Sequence, residues 1–351
     1  MLKILFASFL LLSFGCTKQE EKKRSTDFED LMGKGLPKWE FIRTKEDYDN
    51  LRFFRNVYES NISYLGKEST EYRIPKVLHF IWIGPKPFPR ESVENVRSWI
   101  ANNPDWIVKF WTDRERPLPH PSMQMKRIQD FSFLQLKECY ENSDNYGEKS
   151  DVLRYEILYQ EGGVYVDHDV KCFQAFAPLN AAYDLYCGME MPYPTCLSSS
   201  VLPTNNLVGA RASHPILKGC LDWLQDNWKR IEQEYPGKDK DAVINRVAHR
   251  TFLVLGQTFL KLANQDNNHD IALPTFYFNA PEEKLAIFAR HEYKGSWFEN
   301  ESAFEKKTRE RLMYISKKTN KIILFCIVMA GMNILGFAAL FFLLKKRKTS
   351  T

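Results

Sequence analysis

KSDVLRYEILYQEGGVYVDHDV, residues 149–170, holds a helix, a turn, a strand and two metal-competent carboxylates in one run. Asp151, Arg154, Tyr155, Leu158 and Tyr159 recur at helical spacing, which puts Asp151 and Arg154 on one helix face. Gly162 and Gly163 break that apolar segment and restart it as Val164-Tyr165-Val166. The β-branched run ends in Asp167 and Asp169. If the strand carries on to Asp169, both carboxylates point one way and His168 the other. Two such oxygens hold one hard divalent cation and leave its other positions to waters and phosphates. A lone Asp-x-Asp is usually solvated loop, and the bland alternative for Asp151 with Arg154 is an exposed i,i+3 pair worth about 0.2–0.5 kcal/mol. The specificity lies in the extended pattern.

That pattern, SDxLRYxxLYxxGGVYVDxDV, closely resembles the sugar-binding region containing the DXD motif in glycosyltransferase family 32. It is also similar to the corresponding part of the large clostridial glucosylating toxins. The resemblance implies an α/β, GT-A-like fold, a Rossmann-like nucleotide-sugar-binding mixed sheet flanked by helices. It further implies a nucleotide-sugar donor, GDP- or UDP-hexose, a Mn²⁺ or Mg²⁺ ion, and transfer with retention.

A second block agrees with the first. Ile74-Pro75-Lys76-Val77-Leu78-His79-Phe80-Ile81-Trp82-Ile83-Gly84 reads as a buried first strand ending at glycine, and resembles the family's opening P-K-x-x-H-x-x-W-x-G. Asn103-Pro104-Asp105-Trp106 and Phe110-Trp111-Thr112-Asp113 resemble its next strand. Ligands of α/β sheets sit beyond the carboxyl ends of strands, so Trp82 is expected near the nucleotide base, the alternative being an indole packed in the core. His79 reads as a satisfied core histidine. Farther along, Asn205-Asn206 resemble the family's segment beyond the sheet, and Pro274 to Phe278 its late strand. His291-Glu292-Tyr293-Lys294-Gly295-Ser296-Trp297 resembles its closing H-x-x-x-G-S-W. Leu255-Gly256-Gln257-Thr258 departs from a common Thr-Gly-Pro on the acceptor side.

By this resemblance Asp167, Asp169 and His291 are the expected metal ligands. Asp151, Arg154, Asp167 and Asp169 are the expected catalytic set. Trp82, Asp151, Arg154, Tyr155, Asp167, Ser296 and Trp297 are expected on the donor, with Asp167 alternatively on its ribose. No enzyme nucleophile is visible. The implied activity is metal-dependent transfer of a hexose such as mannose, glucose or galactose to a lipid or glycan acceptor. Two other readings stand beside it: a catalytically silent, membrane-tethered sugar-binding protein, and an Asp-x-Asp phosphohydrolase, for which no downstream Lys and acidic pair is found.

The 351 residues carry a formal net charge of +5. Much of the excess lies near the C-terminus, with no compact basic patch interleaved with aromatics, so nucleic acid is not an expected partner. Residues 322–344 are apolar except for Asn333 and long enough to span a bilayer. A basic segment, 301–321, precedes them and a basic tail, 345–351, follows. Residues 1–16 resemble a signal peptide whose Gly15-Cys16 suits a lipoprotein cleavage site. Residues 17–70 read as a linker and accessory helices, and 71–300 as the catalytic domain. A cleaved signal exports that domain, whereas the basic flank before the span pulls it inside; the reading favours export or a lumen. Cys139, Cys172, Cys187, Cys196 and Cys220 lack framework spacing and read as free thiols. Asn61-Ile62-Ser63 and Asn300-Glu301-Ser302 are glycosylation-type triplets.

Overall fold

Apolar runs without alternation build strands buried on both faces, and such runs form the centre of this molecule. The computed structural model describes residues 26–67, 71–193, 195, 197–237 and 239–294. The expected signal segment, membrane span, basic flank and tail, together with Cys16, Cys196, Ser296, Trp297 and Asn300, lie outside them. Among the described residues no helix is long and apolar enough to cross a membrane.

The strands are β1 (Val77–Ile81), β2 (Ile107–Thr112), β3 (Gln124–Arg127), β4 (Gly163–Val166), β5 (Val170–Cys172), β6 (Leu185–Met189), β7 (Pro203–Ala210), β8 (Asp270–Leu273) and β9 (Ala289–His291). Seven of them make one mixed sheet in the order β3-β2-β1-β4-β7-β6-β8. β3, β2, β1 and β4 run parallel, β7 is antiparallel to both β4 and β6, and β8 is parallel to β6. The fold is therefore α/β with a parallel-rich sheet. The carboxyl ends of β1, β4 and β6 and the amino end of β7 lie on one edge, since Val166 pairs with Leu207 and Met189 with Pro203. A separate antiparallel ribbon joins β5 to β9.

The helices are α1 (Phe28–Leu31), α2 (Lys45–Asn61), α3 (Val93–Asn102), α4 (Lys137–Asn142), α5 (Tyr146–Glu161), α6 (Ala177–Ala182), α7 (Pro215–Glu234), α8 (Lys240–Val247) and α9 (Leu253–Leu262). Phe28, Phe54 and Tyr58 of α1 and α2 join the same hydrophobic core as the sheet. α5 packs on α7, and α7 on α9. A π-helical turn, Ala248–Phe252, joins α8 to α9. Cys139, Cys172, Cys187 and Cys220 are buried free thiols.

α5 begins at Asn145, whose side chain accepts from the Glu148 backbone N–H. It ends at Gly162, which has φ 65°. Gly163 follows with φ 103°, and a Cβ there would lie 2.7 Å from the Val77 carbonyl oxygen. Only glycine fits so close an approach, and the chain can then enter β4 beside β1. His79 secures the same turn. Trp111 Nε1 donates to His79 Nδ1 at 3.1 Å, so the proton sits on Nε2, 2.9 Å from the Gly162 carbonyl.

Three expectations need correction, and one glycosylation-type triplet proves closed. The strand does not carry on to Asp169: β4 stops at Val166, and a turn closed by Val170 N–H on the Asp167 carbonyl (3.1 Å) separates it from β5. Asn205 and Asn206 lie within the sheet, in β7. Pro274 opens a 3₁₀ turn, Thr275–Tyr277, after β8 has ended. Asn61 is buried, its amide donating to Asn264 Oδ1 (2.8 Å) and the Asp270 carbonyl (2.7 Å), so it is closed to glycosylation in the fold.

Candidate active site

The common edge of β1, β4, β7 and β6 opens into a cleft of about 430 Å³. Trp82, Asp151, Arg154, Asp167, Asp169 and His291 all line it. Tyr155 does not: it is fully buried, and its hydroxyl donates to the Thr251 carbonyl at 3.1 Å. The donor contact expected of Tyr155 is replaced by a supporting one, because α5 is buried over residues 151–158 and presents that side chain to the core.

Asp151 and Arg154 are 7% and 4% exposed, so they are no solvated pair. Arg154 pairs with Asp151 and donates to the Asn205 carbonyl, to Tyr165 Oη (3.0 Å) and to Asp167 Oδ1 (3.2 Å). Its guanidinium also lies 4.1 Å from the centre of the Tyr165 ring. Its Nε is buried with no hydrogen-bond partner among the described residues. Burial opposes the Arg154 charge, but Asp151, Tyr165 and Asp167 outweigh it and hold the pKa above its usual value. Burial pushes Asp151 up to about 7; Arg154 pulls it down and Asp167 adds to the rise.

The Asp167 backbone N–H donates to the Asn206 carbonyl at 2.8 Å, which sets the carboxylate at the start of the turn. Asn206 is in turn fixed by Asn279, whose Oδ1 accepts at 2.7 Å. Tyr165 Oη donates to Asp167 Oδ1 at 2.6 Å. Both side-chain partners of Asp167 thus use Oδ1 and leave Oδ2 for a cation.

Asp169 is 4% exposed. Its Oδ2 accepts from the Lys294 backbone N–H at 2.8 Å, and its Oδ1 lies 3.3 Å from His291 Nε2. Burial works against its charge, yet His291, His168 and that N–H together hold it well below the usual carboxylate range. The β5–β9 ribbon makes this meeting by pairing Val170 with His291.

Asp167, Asp169 and His291 each offer one ligand atom, all within 4.8 Å of one another. The second nitrogen of His291, Nδ1, is buried with no hydrogen-bond partner. Ligands at about 2.1 Å from an octahedral ion sit about 3 Å apart, close to the separation of Asp169 and His291. Two carboxylates and one imidazole nitrogen, His291 Nε2, therefore fit a divalent cation such as Mn²⁺ or Mg²⁺.

Trp82 forms the β1 end of the cleft. Its Nε1 donates to the Lys86 carbonyl at 2.9 Å, and the ring stands edge-on to His168 and Phe88. Burial lowers the His168 pKa. Across the cleft, at the end of β6, stands Glu190, which the sequence analysis did not single out. Tyr293 Oη donates to its Oε1 at 2.6 Å. Burial raises the Glu190 pKa. Val247, just before the π-helical turn, and Phe252, its last residue, add an apolar wall. A carboxylate directly after the apolar run Leu185–Met189 was the available signal for Glu190.

Residues 89–186 match the family model described as the glycosyltransferase sugar-binding region containing DXD motif. The chain is 30% identical over 206 residues to Subversion of eukaryotic traffic protein A of Legionella pneumophila, a match covering 55% of this chain and 30% of that protein. It is 30% identical over 146 residues to inositol phosphoceramide mannosyltransferase 3 of Schizosaccharomyces pombe, covering 41% of this chain and 35% of that one. The chain thus spans about a third of the length of these curated relatives. Among solved structures, the PaToxG glycosyltransferase aligns over 64% of this chain and 82% of its own, with 21% identity and a TM-score of 0.43.

Proposed function

We propose that this chain, whose residues 89–186 match the DXD-containing sugar-binding region of glycosyltransferases, moves a hexose from a nucleotide-sugar donor to a lipid or glycan acceptor, with retention and with a divalent cation. The observation that carries the reading is the convergence of Asp167, Asp169 and His291 beside Arg154 in one cleft. The frame is GT-A-like: the nucleotide lies over the β1 end, the diphosphate beyond β4, and the acceptor toward β6.

Asp167, Asp169 and His291 would hold Mn²⁺ or Mg²⁺. When bound, that cation neutralises charge on the donor diphosphate. Trp82, fixed through its Nε1, offers a surface to the base. Arg154, which lines the cleft, donates to a phosphate or sugar oxygen, and Asp151 accepts from a sugar hydroxyl. Tyr165 and Asn206 keep Asp167 in place while this happens. Charge then develops on the sugar as in glycoside hydrolysis. Every acid in the expected catalytic set is engaged by a neighbouring side chain or backbone N–H. Retention is therefore assigned to same-face attack, in which the leaving diphosphate oxygen takes the acceptor's proton as the glycosidic bond forms.

The test is to incubate the full-length protein in detergent with a panel of UDP- and GDP-hexoses and Mn²⁺, with and without extracted lipids. Release of nucleotide from one donor, and an axial-type product linkage by NMR from an axial donor, is the expected result. A folded protein that releases nucleotide from none of them and transfers to none of the lipids contradicts the proposal. We further propose membrane attachment through 322–344 with the catalytic domain exported. Protease protection in sealed vesicles checks the orientation, cytoplasmic exposure being the contrary result.

A further inference from the structure

The candidate cation site takes two ligands from one turn and the third from far along the chain. Asp167 and Asp169 flank a single residue, whereas His291 ends a three-residue strand. What aims His291 is therefore a separate question, and the residues after it give an answer. Tyr293 adopts φ 54°, a left-handed conformation unusual for an aromatic residue. Such a conformation persists only where surrounding contacts over-determine it. Two contacts are present. The Tyr293 ring packs on the His291 imidazole, centroids 4.2 Å apart at 42°. Its hydroxyl reaches across the cleft to Glu190 Oε1 at 2.6 Å.

Other bonds tie this segment to the near side: Glu292 N–H to the Asp169 carbonyl (2.8 Å), Lys294 N–H to Asp169 Oδ2 (2.8 Å), and Asn95 to Glu292 (3.2 Å). Among the described residues, the Tyr293 hydroxyl makes the one hydrogen bond from residues 291–294 to the end of β6. Glu190 is itself held there, its N–H donating to the Leu202 carbonyl at 3.0 Å.

We propose that Glu190 and Tyr293 are positioning residues that brace His291 as the third ligand of the cation site, with Tyr293 as the strut and Glu190 as its anchor. This rests on the cation-dependent reading above and deepens it. The ring restricts the imidazole from one side, and the hydroxyl bond fixes the ring. Loss of either lets His291 swing and weakens the ion without removing a ligand.

The experiment measures Mn²⁺ binding to the full-length protein by the loss of the free-ion EPR signal, with no donor present. His291→Ala sets the full loss. Glu190→Ala and Tyr293→Phe are expected to weaken Mn²⁺ about 10-fold each, the scale of losing a residue that orients a metal ligand. Glu190→Gln, which still accepts from the hydroxyl, is expected to bind like the wild type. In Glu190→Ala/His291→Ala the first change adds nothing to the second, since the brace has no ligand left to aim. Tyr293→Phe removes one oxygen from a half-exposed side chain and keeps the test valid if Glu190→Ala misfolds. Wild-type affinity in Tyr293→Phe, or a Glu190→Ala loss that persists on the His291→Ala background, overturns the brace alone. A wild-type protein that binds no Mn²⁺ overturns it together with the cation-dependent reading.

Discussion

The two walls of the cleft are built on opposite principles. On the α5–β4 wall, Asp151, Arg154, Tyr165 and Asp167 lie within 17 consecutive residues and satisfy one another in a buried network. On the β6–β9 wall, Glu190, His291 and Tyr293 come from segments about a hundred residues apart and meet through one hydroxyl bond and one ring contact. The first wall is expensive to break and holds charge in place before any ligand arrives. In the second, each strand end is held in its own sheet, but the junction between them rests on few contacts, so that junction responds to small changes. A cation between them would join a rigid half to an adjustable one.

Breaking the rigid wall should have the largest effect on the fold. Arg154→Met leaves Asp151 and Asp167 without their shared cation, and removing one partner of a buried pair costs about 3–5 kcal/mol. Urea unfolding at neutral pH checks this; a loss under 1 kcal/mol would show that the network contributes little.

Next comes acid. His79 is fully buried and neutral, its pKa held down to about 4 by burial against an ordinary 6.5. The unfolded chain protonates it near 6.5, whereas the folded chain resists until about 4. Its contribution is complete above 6.5 and is lost as pH falls toward 4, by about 3 kcal/mol in all. His79→Gln should flatten that part of the stability–pH curve. An unchanged slope would place the acid sensitivity elsewhere.

Smaller still is Gly163→Ala. Backbone strain at φ 103° costs about 1–3 kcal/mol, and the new Cβ would meet the Val77 carbonyl. Since Gly163 starts the strand that delivers Asp167, Mn²⁺ affinity should fall along with the melting temperature. Loss of stability with unchanged Mn²⁺ affinity would separate the turn from the site. The least effect is expected at the nucleotide end: Trp82→Ala should raise the donor KM about 3- to 10-fold, the worth of one aromatic stack, with kcat little changed. A fall in kcat at constant KM would move Trp82 from binding to chemistry.

The rigid wall was legible in the sequence because its information is local. Helical spacing, two glycines and a β-branched run each name their own element, and all fall between Lys149 and Val170. The turn at Asp167 was not, because a pattern of alternating residues cannot show where hydrogen bonding to a neighbour stops: β7 pairs with β4 only to Leu207, and the chain then folds back. Tyr155 misled for a related reason. Helical spacing places it beside Asp151, but a helix buried on all sides has both a core face and a cleft face, and spacing alone does not tell them apart. His291 was reachable only through resemblance, since the β5–β9 ribbon joins segments more than a hundred residues apart. Glu190 gave a one-residue signal, and its partner lies 103 positions away.

The central claim is that Asp167, Asp169 and His291 together form the cation site of a sugar transferase. It is tested most directly by donor turnover against Mn²⁺ concentration, in the wild type and in Asp169→Ala. The account predicts saturable Mn²⁺-dependent release of nucleotide by the wild type, at least about 100-fold less in Asp169→Ala, and cooperative unfolding in both. Turnover by Asp169→Ala with wild-type Mn²⁺ dependence would contradict it.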